Sequence, residues 1–243
     1  MKIVRLEIEG FRNFQGRFVL DLRAPAGKPL DYLVLSGTNG CGKTSILDSI
    51  LFCLGREDMI AHPHLGSNTR LILVLEEEGV LHQIERTKSA FSPHRETPIA
   101  VEYFSAHRQS VLGSFLDQVG IDKLNAYWRD FRDDDTTFAM YEGKGLFLYK
   151  GQERLCPIDE MSSGEQGVVS IAMQLLRNPF EGLILIDGPE QHLHPRWQGR
   201  VVRAIRKLAP NSQVIVATHA DDPWEDAMSW ERRLLPDPRR KNI

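Results

Sequence analysis

The chain has 243 residues, 42% apolar and 26% charged, with a formal net charge of −3, the makeup of an ordinary globular protein. That balance does not demand a nucleic-acid partner, although it leaves a local basic patch open. No apolar run approaches the ~18 residues of a membrane span, no leader pattern precedes the first strand, and three widely spaced cysteines (Cys41, Cys53, Cys156) match neither a disulfide nor a metal framework, so a cytoplasmic setting is expected.

Residues 2–9 alternate apolar and polar and read as a half-buried strand, and 17–22 as a second strand. The short apolar run at 32–35 stops at Ser36-Gly37, as a buried strand feeding a glycine loop would. A helical pattern follows over 43–54, with Ile46, Leu47, Ile50, Leu51 and Leu54 on one side. Strand-like pieces at 70–76, 80–86 and 98–104 suggest an antiparallel meander. Residues 111–130 read as helix, 132–136 as a polar break, and 146–155 as a hairpin turning near Lys150-Gly151. A helix is expected over 162–177, an apolar strand over 183–186 and a helix over 195–208. A second apolar strand follows over 213–217, and the polar, basic tail 231–243 is expected to be loosely ordered.

The sequence GTNGCGKT at 37–44 fits G-x-x-x-x-G-K-[ST], between an apolar strand and a helix. Gly37, Gly40 and Gly42 let successive N–H groups turn toward phosphate oxygens, and the helix N-terminus adds its positive end. Lys43 would reach the outer phosphates and Thr44 would offer a hydroxyl to Mg²⁺, with Asn39 and Ser45 as further cofactor-binding candidates. The blander reading is a glycine turn before a helix. Downstream, Leu183-Ile-Leu-Ile186 delivers Asp187, the kind of carboxylate that holds Mg²⁺ in phosphate-loop proteins. Met161-Ser-Ser-Gly-Glu-Gln166 opens a helix with capping-box spacing between Ser162 and Glu165; it is either a helix cap alone or an anion site using the Ser162 hydroxyl, the Gly164 N–H and the helix N-terminus. His219 ends the last apolar strand.

Four motifs in this order resemble the ABC ATPases, and more narrowly the soluble branch of SMC, RecF and OLD type. The residues carrying the resemblance are Gly10-Phe-Arg-Asn-Phe14, 37–44, 161–166, 183–195 and Thr218-His219, spread over almost the whole chain. The resemblance implies an α/β fold with a mixed core sheet around the phosphate loop, an antiparallel β meander and a helical signature subdomain. Expected divisions are 1–104, 105–164 and 165–243. It also implies ATP and Mg²⁺ as cofactors, with Arg12 and Asn13 near the nucleotide. The signature Ser162, Ser163, Gly164 and Glu165 would act on ATP bound by a second copy, which implies an ATP-sandwiched homodimer. His219 matches the histidine that senses the γ-phosphate, and the His192 to Pro195 loop matches one near the dimer interface. Residues 103–108 resemble a segment linking the two lobes. Gln83 and Gln109 are the candidates for a glutamine loop.

Two departures shape the functional expectation. The family's Glu after the metal-binding Asp is here Gly188, which has no side chain to orient water; loss of a general base typically costs ~10²–10⁴-fold in rate. Glu190, or else His219, is left as the catalytic candidate. The long coiled arms and C-terminal nuclease domain known in the family are absent, so a bare nucleotide-binding head with a partner effector is expected. Three classes stay open: an ATPase serving DNA processing or phage defence (acting directly on DNA in one version), a slowly hydrolysing ATP switch controlling an effector, and a transporter subunit. The His62-Pro-His64 pair, the Asp133-Asp-Asp135 cluster and the basic face of Arg200, Arg203, Arg206 and Lys207 read more simply as a loop, a solvated turn and a solvated helix face. Oxidation of Cys41 is a further hypothesis.

Overall fold

The structure, a computed structural model, describes residues 1–92, 100–105, 117–132, 134–142, 144–177, 180–191, 193–219 and 227–236. Gln109, Asp133, His192, residues 106–108 of the 103–108 segment, residues 98–99, residues 111–116 of the expected helix and the end of the tail lie outside them.

Strands β1 (Lys2–Glu9), β2 (Phe18–Asp21) and β3 (Tyr32–Ser36) lead into helix α1 (Lys43–Cys53). The meander follows as β4 (Arg70–Glu77), β5 (Val80–Thr87) and β6 (Phe91–Ser92). Next come β7 (Val101–Phe104), α2 (Gln118–Phe131) and the strands β8 (Thr136–Met140), β9 (Leu146–Lys150) and β10 (Glu153–Pro157). The chain returns through α3 (Ser163–Arg177), β11 (Leu183–Asp187), α4 (Pro195–Leu208), β12 (Gln213–Ala217) and β13 (Arg232–Leu234).

The strands form three sheets. An antiparallel sheet has the order β2-β1-β4-β5-β6, and a parallel core sheet the order β13-β3-β12-β11-β7. A small antiparallel sheet, β10-β9-β8, sits beside α2. The central strands β3, β11 and β12 read as unbroken apolar runs because both faces are covered. On one face Leu33, Leu35, Leu183, Leu185 and Ile215 pack with Ile46, Leu47, Ile50 and Leu51 of α1 and with β1 and β4. On the other Val34, Ile184, Ile186, Val214 and Val216 pack with α2, α3 and α4. The alternation within each strand therefore divides the protein into two cores that share one sheet.

Gln213, at the start of β12, ties the antiparallel sheet to the core sheet. Its buried amide accepts the Ile3 N–H at 2.7 Å and donates to the carbonyls of Ile3 at 2.9 Å and Leu30 at 2.7 Å. In the second lobe Trp128 packs between Phe131 and Phe138 and donates its indole N–H to Thr136 Oγ at 2.9 Å.

Three elements differ from the sequence reading. The polar break at 132–136 runs directly into β8, so the expected hairpin is part of a three-stranded sheet and the second lobe is not helical alone. The part of the tail expected to be loose contains β13, which pairs in parallel with β3, with Leu235 buried just beyond it. Without β13 that edge of β3 would leave its backbone groups unpaired, and ladder bonds can be made by any non-proline residue. The described helix over the expected 111–130 segment starts at Gln118, where the Asp117 side chain accepts the Gly120 N–H at 2.7 Å.

Candidate functional site

The parallel sheet delivers β3, β12 and β11 side by side, so the loops leaving their carboxyl ends are neighbours in space although far apart in sequence. Sites in open parallel sheets form at such strand ends. The phosphate-loop motif leaves β3, His219 follows β12, and Asp187 ends β11.

Gly42, at the N-terminus of α1, has φ +105, and a Cβ there would lie 2.8 Å from the Phe14 ring. Only glycine meets both conditions. Asn13, beside Phe14, donates its side-chain amide to the Gly40 carbonyl, so the 10–14 segment braces the loop from outside. Asn39 and Gly40 are exposed at the loop crest, while Ser45 is buried in the first turn of α1.

Lys43 is only 4% exposed. Its ammonium folds back onto the Gly37 carbonyl at 2.7 Å and the Thr38 carbonyl at 3.2 Å, with Cys41 Sγ at 3.7 Å. Those contacts hold a cation inside its own loop, where an anion would find it. Thr44 is exposed, and its hydroxyl donates to Asp187 Oδ2 at 2.8 Å. A hydroxyl and a carboxylate meeting at a strand end form a hard-oxygen pair suited to Mg²⁺. Burial holds the Asp187 carboxyl above its ordinary value; Glu190 adds to that, while the Thr44 hydroxyl, His219 and Lys43 oppose it. A divalent cation would relieve this cost.

Arg12, at φ +48, does not reach toward the loop crest but pairs with Asp48, one turn beyond Thr44 on α1. Burial raises the Asp48 carboxyl, and Arg12 pulls it back. Asp48 was missed in the sequence, although its i+4 spacing from Thr44 places both on one helix face.

Asp187 is followed by a turn in which Gly188 has φ +57 and donates its N–H to the Ala217 carbonyl at 2.8 Å. This turn carries Glu190 inward. Glu190 is 6% exposed; Oε1 accepts the His219 backbone N–H at 2.7 Å, and Oε2 accepts no hydrogen bond among the described residues. The His219 residue is itself exposed. Gln83, by contrast, lies on β5 opposite Val74, in the antiparallel sheet rather than at the strand ends.

The signature occupies a different place. Ser162 and Ser163 are exposed at the start of α3, and Gly164 is buried. The expected capping box is present: the Ser162 N–H donates to Glu165 Oε2 at 3.2 Å, and the Glu165 N–H to Ser162 Oγ at 3.4 Å. The other Glu165 oxygen pairs with Arg132, whose guanidinium lies 4.5 Å over the Trp197 ring and also binds Asp134. The role of Arg132 was not legible in the sequence, because Glu165 and Trp197 come from segments distant from it. The Gln166 amide donates to the carbonyls of Asp159 and Met161. The exposed face of the signature thus points outward from its own lobe.

On α4, Arg206 pairs with Glu231 and Lys207 with Asp130, so these two members of the basic face noted in the sequence are neutralised within the chain. Among the described residues no helix is long and apolar enough to cross a membrane.

Residues 2–234 match the RecF/RecN/SMC N terminal domain. A Septu protein PtuA of Bacillus mycoides (strain KBAB4) is 26% identical over 126 residues, 49% of this chain and 15% of that protein. A Retron Vc95 probable ATPase of Vibrio cholerae serotype O1 biovar El Tor is 32% identical over 75 residues, covering 26% of this chain and 15% of the other. The L-cystine transport system ATP-binding protein TcyN of Escherichia coli (strain K12) is 25% identical over 209 residues, 86% of this chain and 77% of that one. Among solved structures, the SMC head domain from Thermotoga maritima superimposes with a TM-score of 0.62 at 18% identity, covering 90% of this chain and 89% of that one. The matched regions span only a small fraction of the Septu and retron proteins. With a full-length domain match, a shared head fold and the phosphate-loop arrangement at the strand ends, the chain belongs to the RecF/RecN/SMC N-terminal domain family of ABC-type ATPases.

Proposed function

We propose that this chain binds ATP with Mg²⁺, closes into a homodimer around the nucleotide, and in that form controls a partner effector in DNA processing or phage defence. The observation that carries the reading is the meeting of Thr44 and Asp187 at 2.8 Å beside the glycine loop that holds Lys43. Lys43 would exchange its two backbone carbonyls for phosphate oxygens, and Thr44 and Asp187 would ligate Mg²⁺, which neutralises phosphate charge when bound. Asn13 would keep the loop in shape, and Arg12 would act through Asp48 on α1 rather than on the nucleotide.

The second copy enters through the signature. Ser162 and Ser163 present hydroxyls at the exposed N-terminus of a 15-residue helix, an arrangement that attracts anions. Ser162 bonds to Glu165 of its own helix and both hydroxyls face outward from the lobe, which favours action on ATP held by a partner copy. Gly188 in place of the family's glutamate favours slow hydrolysis, and hence a switch rather than a motor.

The similarity to TcyN favours a second reading, an ATP-binding subunit of a transporter. The domain match over 2–234 and the Septu and retron relatives weigh toward the first.

The test is mass by light scattering with and without ATP and Mg²⁺, alongside ATP binding by calorimetry. Wild type should bind and pair. Lys43→Ala should lose both, and Ser162→Arg should bind ATP as a monomer. Pairing that ignores ATP, or survives in Ser162→Arg, would overturn the dimer reading.

A further inference from the structure

We propose that Glu190 is the carboxylate that takes the proton from the attacking water, and that the left-handed turn at Gly188 is what brings it there. The role rests on ATP occupying the phosphate loop, and it identifies the base that residue 188 cannot supply.

One observation on Glu190 is left unexplained by a structural role, and a second fixes where the carboxylate lies. The Glu190 side chain is nine-tenths buried, yet Oε2 accepts no hydrogen bond from the described residues. A buried carboxylate oxygen without a donor is costly, and such groups in native proteins call for a missing partner. The partner chemistry is a donor small enough to enter a buried site, and water meets that description. The second observation is position. Oε1 is held by the His219 N–H at 2.7 Å, fixing the carboxylate between the ends of β11 and β12. Its charge acts on Asp187, which meets Thr44 of the phosphate loop, so the free oxygen belongs to the same cluster of strand ends.

The turn explains why the carboxylate comes from residue 190. Gly188 adopts φ +57, and a Cβ there would lie 2.9 Å from Gln191 Nε2 and 3.1 Å from its Cγ. A side chain at 188 would be strained in backbone and crowded by Gln191, whereas the Gln191 N–H to Gly188 carbonyl bond at 3.1 Å closes the turn that buries Glu190. In the reaction, Oε2 accepts a proton from water as the water oxygen bonds to the γ-phosphorus. The bond from that phosphorus to the β–γ bridging oxygen breaks, its electron pair staying on ADP, and the products are ADP, inorganic phosphate and a proton returned from Glu190 to solvent.

The experiment uses the full chain as wild type, Glu190→Gln and Glu190→Ala. Three quantities are measured: single-turnover ATP hydrolysis, lifetime of the ATP-held dimer, and amide hydrogen exchange at His219 without nucleotide. Glutamine keeps an acceptor for the His219 N–H but cannot take the proton. Glu190→Gln should therefore bind ATP and pair as wild type does, with unchanged His219 exchange. Its hydrolysis should fall by ~10²–10⁴-fold and its dimer should outlive the wild-type one correspondingly. Glu190→Ala should show the same loss with faster exchange at His219. Hydrolysis by Glu190→Gln at the wild-type rate overturns the proposal, as does a loss of ATP binding or His219 protection in that variant, which would mark a structural role. A wild type that binds and pairs without hydrolysing also overturns it. A wild type that binds no ATP overturns the nucleotide reading itself, an outcome visible before any variant is compared.

Discussion

The hydroxyl of Thr44 and the carboxylate of Asp187 are separated by 143 positions in the chain and meet at 2.8 Å. One stands on the first turn of α1 and the other on the last residue of β11, and β12 lies between their strands. The contact keeps a buried carboxylate next to a phosphate loop, at a cost in stability when no cation is bound.

That cost has a sign that can be measured. Burial raises the Asp187 carboxyl, so the protonated form favours folding. Its contribution is present at low pH and is lost as the pH rises through the folded-state value. Without nucleotide, wild type should therefore lose stability relative to Asp187→Asn as the pH rises from the ordinary aspartate range, read by denaturant unfolding at several pH values. At neutral pH Asp187→Asn should be the more stable protein and should have lost Mg²⁺-dependent ATP affinity. A wild type that gains on Asp187→Asn with rising pH would refute the assignment.

Restoring the family's glutamate at residue 188 should not restore hydrolysis. Gly188→Glu places a side chain at φ +57, and forcing the left-handed region costs about 1–2 kcal/mol. The displaced Gln191 would also disturb the turn that carries Glu190. A lower unfolding midpoint with hydrolysis no faster than wild type is expected; a stable, faster enzyme would show that the turn adapts.

Gln213 should matter to the whole molecule without touching the site. Gln213→Ala leaves an N–H and two carbonyls without their partners at the junction of two sheets. We expect a loss of about 2–4 kcal/mol in chemical unfolding, since each orphaned buried group costs about 1–3 kcal/mol when water cannot replace its partner. ATP affinity of the folded fraction should be unchanged.

Arg132 should uncouple the signature from its lobe. Arg132→Ala removes the partner of Glu165 and the cation over Trp197. A destabilisation of about 1–2 kcal/mol is expected, cation–π and partly buried ion pairs each contributing on the order of 1 kcal/mol. ATP binding by the monomer should persist while ATP-driven pairing weakens, as light scattering would show. Equal loss of both would mean that the helix start does not act independently.

What could be read from residues alone is local in origin. The glycine loop, the apolar strand ending in Asp187 and the capping box of Ser162 and Glu165 each sit within a few residues, where spacing and side-chain type carry the signal. The buried strands were legible because burial on two faces forces an apolar run. The grouping of Lys43, Thr44, Asp187, Glu190 and His219 depended instead on the strand order β3-β12-β11, which no single segment specifies. Arg12 pairing with Asp48, Arg132 with Glu165, and β13 joining the edge of β3 are contacts between distant segments, two made by charge and one by backbone, and neither leaves a period in the sequence. The tertiary structure alone decided that Glu190 turns inward beneath His219, because a left-handed residue redirects the chain through its backbone angle, and the inward carboxylate is buried by strands that arrive from elsewhere.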